Sequence, residues 1–469
     1  MKIKNICCIG AGYVGGPTMA VISQKCPFIK VNVVDKDSNK IDKWNSTNLN
    51  ELPVYEPGLS EIIKNVRGKN LFFSNDIEKA VKNADMIFLA VNTPTKSYGE
   101  GKGMAVDLKY VENSARLIAK FSKSPKIVVE KSTLPVRTAE AIEKILKSEN
   151  PSVKFEVISN PEFLAEGTAI KDLFKSDRVL IGGHKSKSGQ KAVNSLVKIY
   201  NNWIPNDKIV TTNLWSSELA KLVSNAFLSQ RISSINSISA LCEATGADVD
   251  EVSRAVGKDK RIGSEFLKAS VGFGGSCFQK DILSLVYLCQ HYNLNEVANY
   301  WESVIKINNY QRERFSKKII QTLFGSVTEK TVTILGWAFK KNTNDSRESS
   351  SIYISSKLIE NGADIKVYDP KVSKKRILED LKENWKNKGF QKENIKENIT
   401  KIKILPNPTE ACENSSAICI ITEWEEFVNL NWKIIYKNMK RPAFLFDGRN
   451  ILSKDKLKKI GFEIYQIGK

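Results

Sequence analysis

The chain has 469 residues, 41% of them hydrophobic, and sets 72 lysines and arginines against 52 acids for a formal net charge of +20. That length exceeds one ordinary core, so two or three domains are expected, and no apolar run reaches the roughly 20 residues of a membrane span. The N-terminal stretch Met1-Lys2-Ile3-Lys4 leads straight into a strand-like run without signal-peptide architecture, and a cytoplasmic protein is expected. Positive charge raises nucleic acid as a partner, but basic and acidic residues are mixed throughout, even between Lys371 and Lys403, and no nucleic-acid motif accompanies them. A solvated lysine-rich surface that steers anionic substrates is the better reading, with neither nucleic acid nor membrane as partner. The eight cysteines lack metal-ligand spacing, so no metal is expected, and two histidines, His184 and His291, leave little room for histidine catalysis.

Residues 1–210 read as a dinucleotide-binding domain. The apolar run Ile3 to Ile9 predicts a strand, followed by Gly10-Ala11-Gly12-Tyr13-Val14-Gly15 and a helical pattern through Ile22. This spacing allows a tight turn and brings a pyrophosphate close to a helix N-terminus. A second strand, Val31 to Val34, ends at Asp35, where a carboxylate accepts from the ribose hydroxyls of NAD and repels the extra phosphate of NADP. The alternative is a glycine-rich turn with no ligand, against which the strand, helix and acid argue together. Apolar strands recur at 84–91 and 126–130 and end in Asn92-Thr93-Pro94-Thr95 and Lys131-Ser132-Thr133. In a buried parallel sheet those ends face the ligand, which places Thr93 and Thr133 within reach of a nicotinamide, although each alone is an ordinary turn residue. A further strand, 155–159, leads into Asn160-Pro161-Glu162-Phe163-Leu164-Ala165-Glu166. Glu162 and Glu166 are four apart and suit acid–base work or a surface pair equally well.

Residues 211–325 read as a central helical domain. Helical periodicity runs from Leu214 past Leu241, long enough to join two domains and to leave apolar surface for a second subunit. Lys221 and Asn225 share one face of it. Arg261 and Lys268 bring positive charge just before Val271-Gly272-Phe273-Gly274-Gly275-Ser276-Cys277-Phe278-Gln279-Lys280-Asp281. There Ser276 and Gln279 predict a capping box, and Cys277 falls in the first helical turn, where the dipole favours a thiolate able to attack a carbonyl. The bland alternative is a small buried residue closing a helix start. Helical pattern continues from Asp281 as one long run through Val297 to Ile320.

Residues 326–469 repeat the first design. A strand, 331–336, is followed by a helix over about 347–360 and a strand, 365–368, ending at Asp369. The second and third glycines are missing and Lys340 stands where a phosphate would approach, which favours a nucleotide held by side-chain charge. Strands at 417–421 and 443–446 follow, the latter ending in Asp447-Gly448-Arg449. The charged segment 371–405 is expected to be peripheral.

Four blocks, Cys7 to Pro17, Ser159 to Thr168, Gln230 to Asp248 and Phe266 to Asp281, closely resemble the UDP-glucose/GDP-mannose dehydrogenase family, and specifically its animal-type branch that oxidises UDP-glucose. The resemblance covers essentially the whole chain. It implies an α/β fold with two Rossmann-like, doubly wound parallel-sheet domains joined by a long central helix. The implied activity is a four-electron oxidation of the C6 hydroxymethyl of UDP-glucose, reducing two NAD+ and yielding UDP-glucuronate, a glycan precursor. In that scheme Cys277 adds to the C6 aldehyde, the thiohemiacetal is oxidised to a thioester, and water hydrolyses it. Lys221 and Asn225 match the oxyanion-stabilising pair, Asp281 and Thr133 position a water, and Glu162 matches the acid–base residue of hydrolysis. Glu162, Phe163, Leu164, Ala165, Glu166, Lys221, Asn225, Arg261, Lys268, Phe273, Gly274, Lys340 and Arg449 match the UDP-glucose site, Arg261 from a neighbouring subunit. Gly10, Ala11, Gly12, Tyr13, Val14, Gly15, Asp35, Lys40, Val91, Asn92, Thr93, Pro94, Thr95, Ser132, Thr133, Glu166, Cys277, Lys280 and Arg347 match the NAD site. Lys40 departs from the arginine of the animal enzymes, keeping the charge and losing the planar fork. A homo-oligomer is implied: a dimer through the central helices, with further assembly to a hexamer left open. Three other readings remain at this point: a sister enzyme for another nucleotide sugar, a two-electron dehydrogenase, and a basic nucleic-acid-binding protein on a degenerate dinucleotide fold.

Overall fold

Short apolar runs, buried on both faces, make the strands in this computed structural model, which describes residues 2–469. The chain divides into two units, Met1–Ser224 with Leu283–Asn293, and Asn225–Ile282 with Leu294–Lys469. The first holds β1 (Asn5–Ile9), β2 (Lys30–Val34), β3 (Leu71–Ser74), β4 (Met86–Leu89), β5 (Lys126–Glu130), β6 (Phe155–Ser159), β7 (Val179–Gly182) and β8 (Ile209–Thr212) in one sheet, ordered β3-β2-β1-β4-β5-β6-β7-β8. The first six strands are parallel, in the order typical of dinucleotide-binding sheets. β7 turns antiparallel to β6 through the single pair Ser159–Gly182. The carboxyl ends of β1, β2, β4, β5 and β6 therefore gather Gly10, Asp35, Val91, Lys131 and Asn160 along one edge of the sheet.

The second unit contains β9 (Thr331–Leu335), β10 (Asp364–Tyr368), β11 (Ile402–Ile404), β12 (Ala417–Ile420), β13 (Phe444–Asp447) and β14 (Glu463–Gln466), all parallel, ordered β11-β10-β9-β12-β13-β14. The same strand order has thus been laid down twice. The long helix, Leu214–Thr245, carries the chain from one unit into the other. No helix among the described residues is long and apolar enough to cross a membrane.

Several local expectations need correction. The helical run from Asp281 is broken: one helix, Phe278–His291, ends before Asn293, which takes a left-handed φ of 57°, and a second occupies Asn295–Thr322. The helix expected from Arg347 begins at Ser350, because the hydroxyl of Ser349 caps it by accepting from Ser351 N. The segment 371–405 is not peripheral. Its helix Lys374–Asn387 buries Ile377, Leu381 and Trp385, and it supplies β11 to the sheet edge. Buried Asp380 on that helix accepts from Trp337 Nε1 (2.9 Å) and Ser346 Oγ (2.5 Å), bracing the loop that carries Lys340. Asp369, the counterpart of Asp35, accepts from the backbone N–H groups of Trp337, Ala338, Lys371 and Val372 and from Trp424 Nε1. Five donors commit that carboxylate to its own loop and leave it no role toward a ribose.

Behind the first sheet, Glu218 accepts from Arg137 N (2.8 Å) and Ala139 N (2.9 Å), capping the helix Thr138–Glu149. Beside it lies Glu130, whose carboxyl burial pushes well above its ordinary value, the neighbouring Glu218 adding to the effect. A carboxyl with a raised native pKa binds its proton more tightly when folded, so its stabilisation is complete at low pH. It is lost as pH climbs from the ordinary carboxylate range toward the native value. Glu130→Gln should match the wild type near pH 4 and be more stable by about 1 kcal/mol or more at pH 8. Denaturant unfolding at the two pH values tests this; a variant whose stability falls with pH as steeply as the wild type's contradicts it.

Candidate active site

The cofactor end is built by β1, β2 and the helix Gly15–Lys25. Gly10 takes φ 110°, and a Cβ there would stand 2.2 Å from the Ala90 carbonyl oxygen, so only glycine fits. A Cβ on Gly12 would meet nothing within 4 Å, so the backbone at this turn is open to a ligand. Asp35 Oδ2 accepts from Ala11 N (3.0 Å) and Lys40 Nζ (2.9 Å), and Oδ1 from Asp37 N (3.1 Å). Burial alone would raise its pKa, but these hydrogen bonds and the lysine hold it below the ordinary value. A fixed carboxylate two strands' ends from an open glycine turn fits the adenosine ribose of NAD. Lys40 lies on Asp35 and so is committed to the same acid. Ser132 Oγ donates to the carbonyls of Val91 (2.7 Å) and Leu89 (3.3 Å), tying the end of β5 to the segment Val91–Thr95, and Thr95 bridges to Val106.

Past β6 the same edge carries a buried charge network. Glu162 Oε2 forms an ion pair with Lys131 Nζ at 2.8 Å, and Oε1 accepts from the backbone N–H groups of Phe163 (2.9 Å) and Leu164 (3.2 Å). Burial would raise this carboxyl, but Lys131, the Phe163 amide and Lys221 hold it below its ordinary value. Lys221, buried on the long helix, lies 5.2 Å from the centre of the Phe163 ring, and Arg178 packs on the same ring at 4.0 Å. Glu166 lies in the turn ahead of the helix Ala169–Phe174. Thr133 is half-buried just beyond Ser132.

In the second unit the glycine stretch is a buried, irregular strand of backbone ending at Cys277. The capping box does not form: the helix starts at Phe278, the Cys277 carbonyl accepts from Asp281 N (2.8 Å), and Gln279 Oε1 has no hydrogen-bond partner among the described residues. Cys277 itself therefore occupies the cap position, with its thiol at the helix N-terminus. It is exposed, whereas the other seven cysteines are buried, and desolvation pushes each of their thiols upward, that of Cys26 to about 11 and that of Cys7 to about 12. One turn on, buried Asp281 accepts from Asn225 Nδ2 (2.6 Å) through Oδ2; its Oδ1 makes no hydrogen bond among the described residues and has Lys280 Nζ at 3.7 Å. Asn225 and Asp281 are thus brought together.

The loop is held by side chains that the sequence reading passed over. The Phe273 peptide donates to Asn308 Oδ1 (2.8 Å), while its carbonyl accepts from Asn308 Nδ2 (3.0 Å) and the Arg312 guanidinium (2.6 Å). Ser270 N donates to Asn236 Oδ1 (2.8 Å), and Ser270 O accepts from Gln311 Nε2 (2.7 Å). Asn308, Gln311 and Arg312 stand at i, i+3 and i+4 among the apolar positions Val304, Ile305, Phe315 and Ile319, a polar stripe inside a buried face. That stripe was the available signal. The other predicted contacts of this unit lie against the same stretch: Gly275 N donates to the Arg347 carbonyl (2.8 Å) and Val271 N to the Gly448 carbonyl (3.0 Å), while Arg449 is tied to the Phe339 carbonyl (2.7 Å) and Glu423 (3.2 Å), Arg347 to Asp345, and half-buried Lys340 flanks Phe339. Arg261 is highly exposed and pairs with Asp259, and Lys268 is exposed.

Three sequence models match the chain in order: the NAD binding domain of the UDP-glucose/GDP-mannose dehydrogenase family over residues 4–204, its central domain over 215–310 and its UDP binding domain over 333–454. The chain belongs to the UDP-glucose/GDP-mannose dehydrogenase family. It is 57% identical over 471 residues to the UDP-glucose 6-dehydrogenase of Gallus gallus, covering 100% of this chain and 94% of that protein. It is 56% identical over 468 residues to UDP-glucose 6-dehydrogenase 3 of Oryza sativa subsp. japonica, covering 99% and 97%. Among solved structures, a UDP-glucose dehydrogenase from the archaeon Pyrobaculum islandicum superposes with a TM-score of 0.83 at 29% identity, covering 99% of this chain and 97% of that one. The family's NAD binding domain is thus the unit that carries Gly10 and Asp35, and its central domain contains Asn225, Cys277 and Asp281.

Gly272 takes φ 109°, and a Cβ there would lie 2.7 Å from Asn308 Oδ1. Gly272→Ala should therefore cost about 1–3 kcal/mol and displace the Phe273 peptide. The measurable result is a lower thermal midpoint together with an altered rate of Cys277 alkylation by iodoacetamide; an unchanged midpoint and rate would contradict this account of the loop.

Proposed function

We propose that this chain oxidises UDP-glucose to UDP-glucuronate in two NAD-dependent steps through an acyl group carried on Cys277. The observation that carries the covalent part is the position of Cys277, the exposed thiol among eight, capping a helix one turn before the Asn225–Asp281 pair. NAD+ supplies the hydride acceptor in each oxidation. Two oxidations with one water convert the C6 alcohol to a carboxylate and release two NADH and three protons.

In this reading the Cys277 sulfur adds to the C6 aldehyde left by the first oxidation, forming a C–S bond. The thiohemiacetal oxygen is stabilised by hydrogen bonds from Lys221 and Asn225, residues one turn apart on the long helix. Loss of the second hydride leaves a thioester, which water attacks at C6; the C–S bond breaks and the sulfur departs as thiolate. Covalent attachment keeps the aldehyde from escaping before its second oxidation. Asp281, whose Oδ1 has no hydrogen-bond donor among the described residues, and Thr133 hold the water. Glu162 takes part in proton transfer during hydrolysis. Phe163, Leu164, Ala165 and Glu166 line the sugar with Arg261, Lys268, Phe273, Gly274, Lys340 and Arg449, the cations of this set answering the diphosphate. Arg449 and Arg347 already engage other groups, so their contribution is to hold a shaped backbone as well as charge.

Exposed apolar side chains on two helices, Phe227, Ile238 and Leu241 with Val297, Tyr300 and Tyr310, support a homodimer formed through the central helices. A cytoplasmic setting accords with eight unpaired cysteines.

An oxygen ester hydrolyses more slowly than a thioester, so Cys277→Ser should lose turnover by about a hundredfold or more. Incubated with NAD+ and UDP-glucose, the variant should carry a UDP-glucuronyl mass on the peptide containing residue 277. Wild-type turnover by this variant, with no adduct, would exclude the covalent route.

A further inference from the structure

Lys131 follows β5 directly, and only 3% of its side chain is exposed. An ammonium taken out of water costs several kcal/mol unless a partner and hydrogen bonds replace its hydration, so a lysine buried to this extent is held by something. Here the replacements are complete for a three-donor group. Nζ lies 2.8 Å from Glu162 Oε2, 3.2 Å from Asn160 Oδ1 and 3.4 Å from the Tyr200 hydroxyl. Tyr200 in turn donates to Asn160 Oδ1 (2.8 Å), and Asn160 Nδ2 donates to the Leu180 carbonyl (2.8 Å), so the cradle is itself fixed to β7. The groups that face Glu162 are Lys131 from the end of β5, Lys221 from the long helix, the Phe163 and Leu164 amides from its own loop and Thr18 Oγ1 (3.5 Å) from the first helix. The titratable groups that face Lys131 are Glu162, Tyr200 and, from β1, the buried Cys8 thiol. Every donor around Glu162 favours its ionised form. In agreement, Glu162 is held below its ordinary value despite burial, and Lys131 above its own.

We propose that Lys131 is the positioning residue for hydrolysis: it fixes Glu162 as an aimed carboxylate, so that Glu162 acts in that step as a base toward water and not as an acid toward sulfur. The proposal rests on the thioester reading above and names the residue that sets Glu162's role within it. As water adds to C6, one of its protons passes to Glu162. The C–S bond breaks with its electron pair on the Cys277 sulfur, which needs no proton from Glu162 to leave. The second proton leaves with the new carboxylic acid, and Glu162 returns its proton to solvent after product release. Two hydrides have gone before this point, so no further oxidant is consumed. Lys131 touches no reacting atom; its effect passes through Glu162.

The test compares Lys131→Met, Lys131→Gln, Lys131→Arg and Glu162→Gln in the full chain, reading both the pH profile of kcat and the covalent adduct by rapid quench and intact mass. Loss of the cation should move the acid limb of kcat upward by about one to three pH units in the Met and Gln variants. Below that limb both variants should accumulate the acyl adduct after a burst of two NADH per site, as Glu162→Gln should at all pH values. Lys131→Arg, which keeps the charge, should restore most of the wild-type profile. An adduct in Glu162→Gln combined with a wild-type pH profile in the Met and Gln variants overturns the role of Lys131 and leaves the thioester reading standing. No adduct in any variant overturns both. Should the neutral variants fail to fold, infrared difference spectra of wild type against Glu162→Gln decide the matter directly: a carboxylate that titrates below the ordinary glutamate range supports the proposal, and one that titrates at or above that range overturns it.

Discussion

The structure depends on how a buried, irregular backbone gets its hydrogen bonds. Residues 270–276 belong to no helix or strand, yet most are out of water, and an unpaired peptide group there would cost as much as a lost hydrogen bond. The amides of Asn236, Asn308 and Gln311 and the guanidinium of Arg312 answer those groups one by one from two long helices. Helices are rigid, and side chains from two of them leave the loop a single conformation. The glycines make that conformation sterically possible, and the amides make it obligatory. Cys277 is exposed at the end of this frame because everything before it is fixed.

A second theme is the management of carboxylates. Asp35 and Glu162 are both desolvated, which works against ionisation, and both are restored to the charged form by a lysine and backbone amides. Glu130 is desolvated beside Glu218, and both effects push its carboxyl above the ordinary value. Asp369, in the second sheet, occupies the position of Asp35 and is saturated by its own loop. One fold, used twice, thus carries a carboxylate beside an open glycine turn in one copy and a structural clamp in the other. The difference lies in the donors around the acid, since the strand order is the same.

Much of this was legible beforehand, for identifiable reasons. Continuous apolar strands such as Ile87–Leu89 and Val128–Val129 read clearly because burial on both faces leaves no polar interruption. β3, β7, β8, β11 and β14 escaped the sequence reading: each is three or four residues long, and β11, Ile-Lys-Ile, lies within a lysine-rich segment whose charge suggested a peripheral insertion. Trp385, Leu381 and Ile377 were the signs that this segment packs inward. Cys277 and Asp35 could be picked out because each sits at a motif with a mechanical reason for its spacing. Lys131 could not: a lysine after a strand is usually solvated, and only three-dimensional neighbours from β6 and the helix Lys187–Tyr200 show that it is enclosed. The helix break at Asn293 was hidden for a similar reason, since asparagine tolerates a left-handed conformation without announcing it.

The central claim is that one thiol captures the aldehyde from the first oxidation and holds it through the second until water releases the acid. The most direct measurement is the yield of NADH per UDP-glucose consumed by the wild-type protein with NAD+ in excess, together with identification of the sugar product. Two NADH per UDP-glucose, UDP-glucuronate as the product and no free aldehyde are predicted. One NADH per UDP-glucose with an aldehyde product would contradict the account, because the thiol would then have no acyl group to carry.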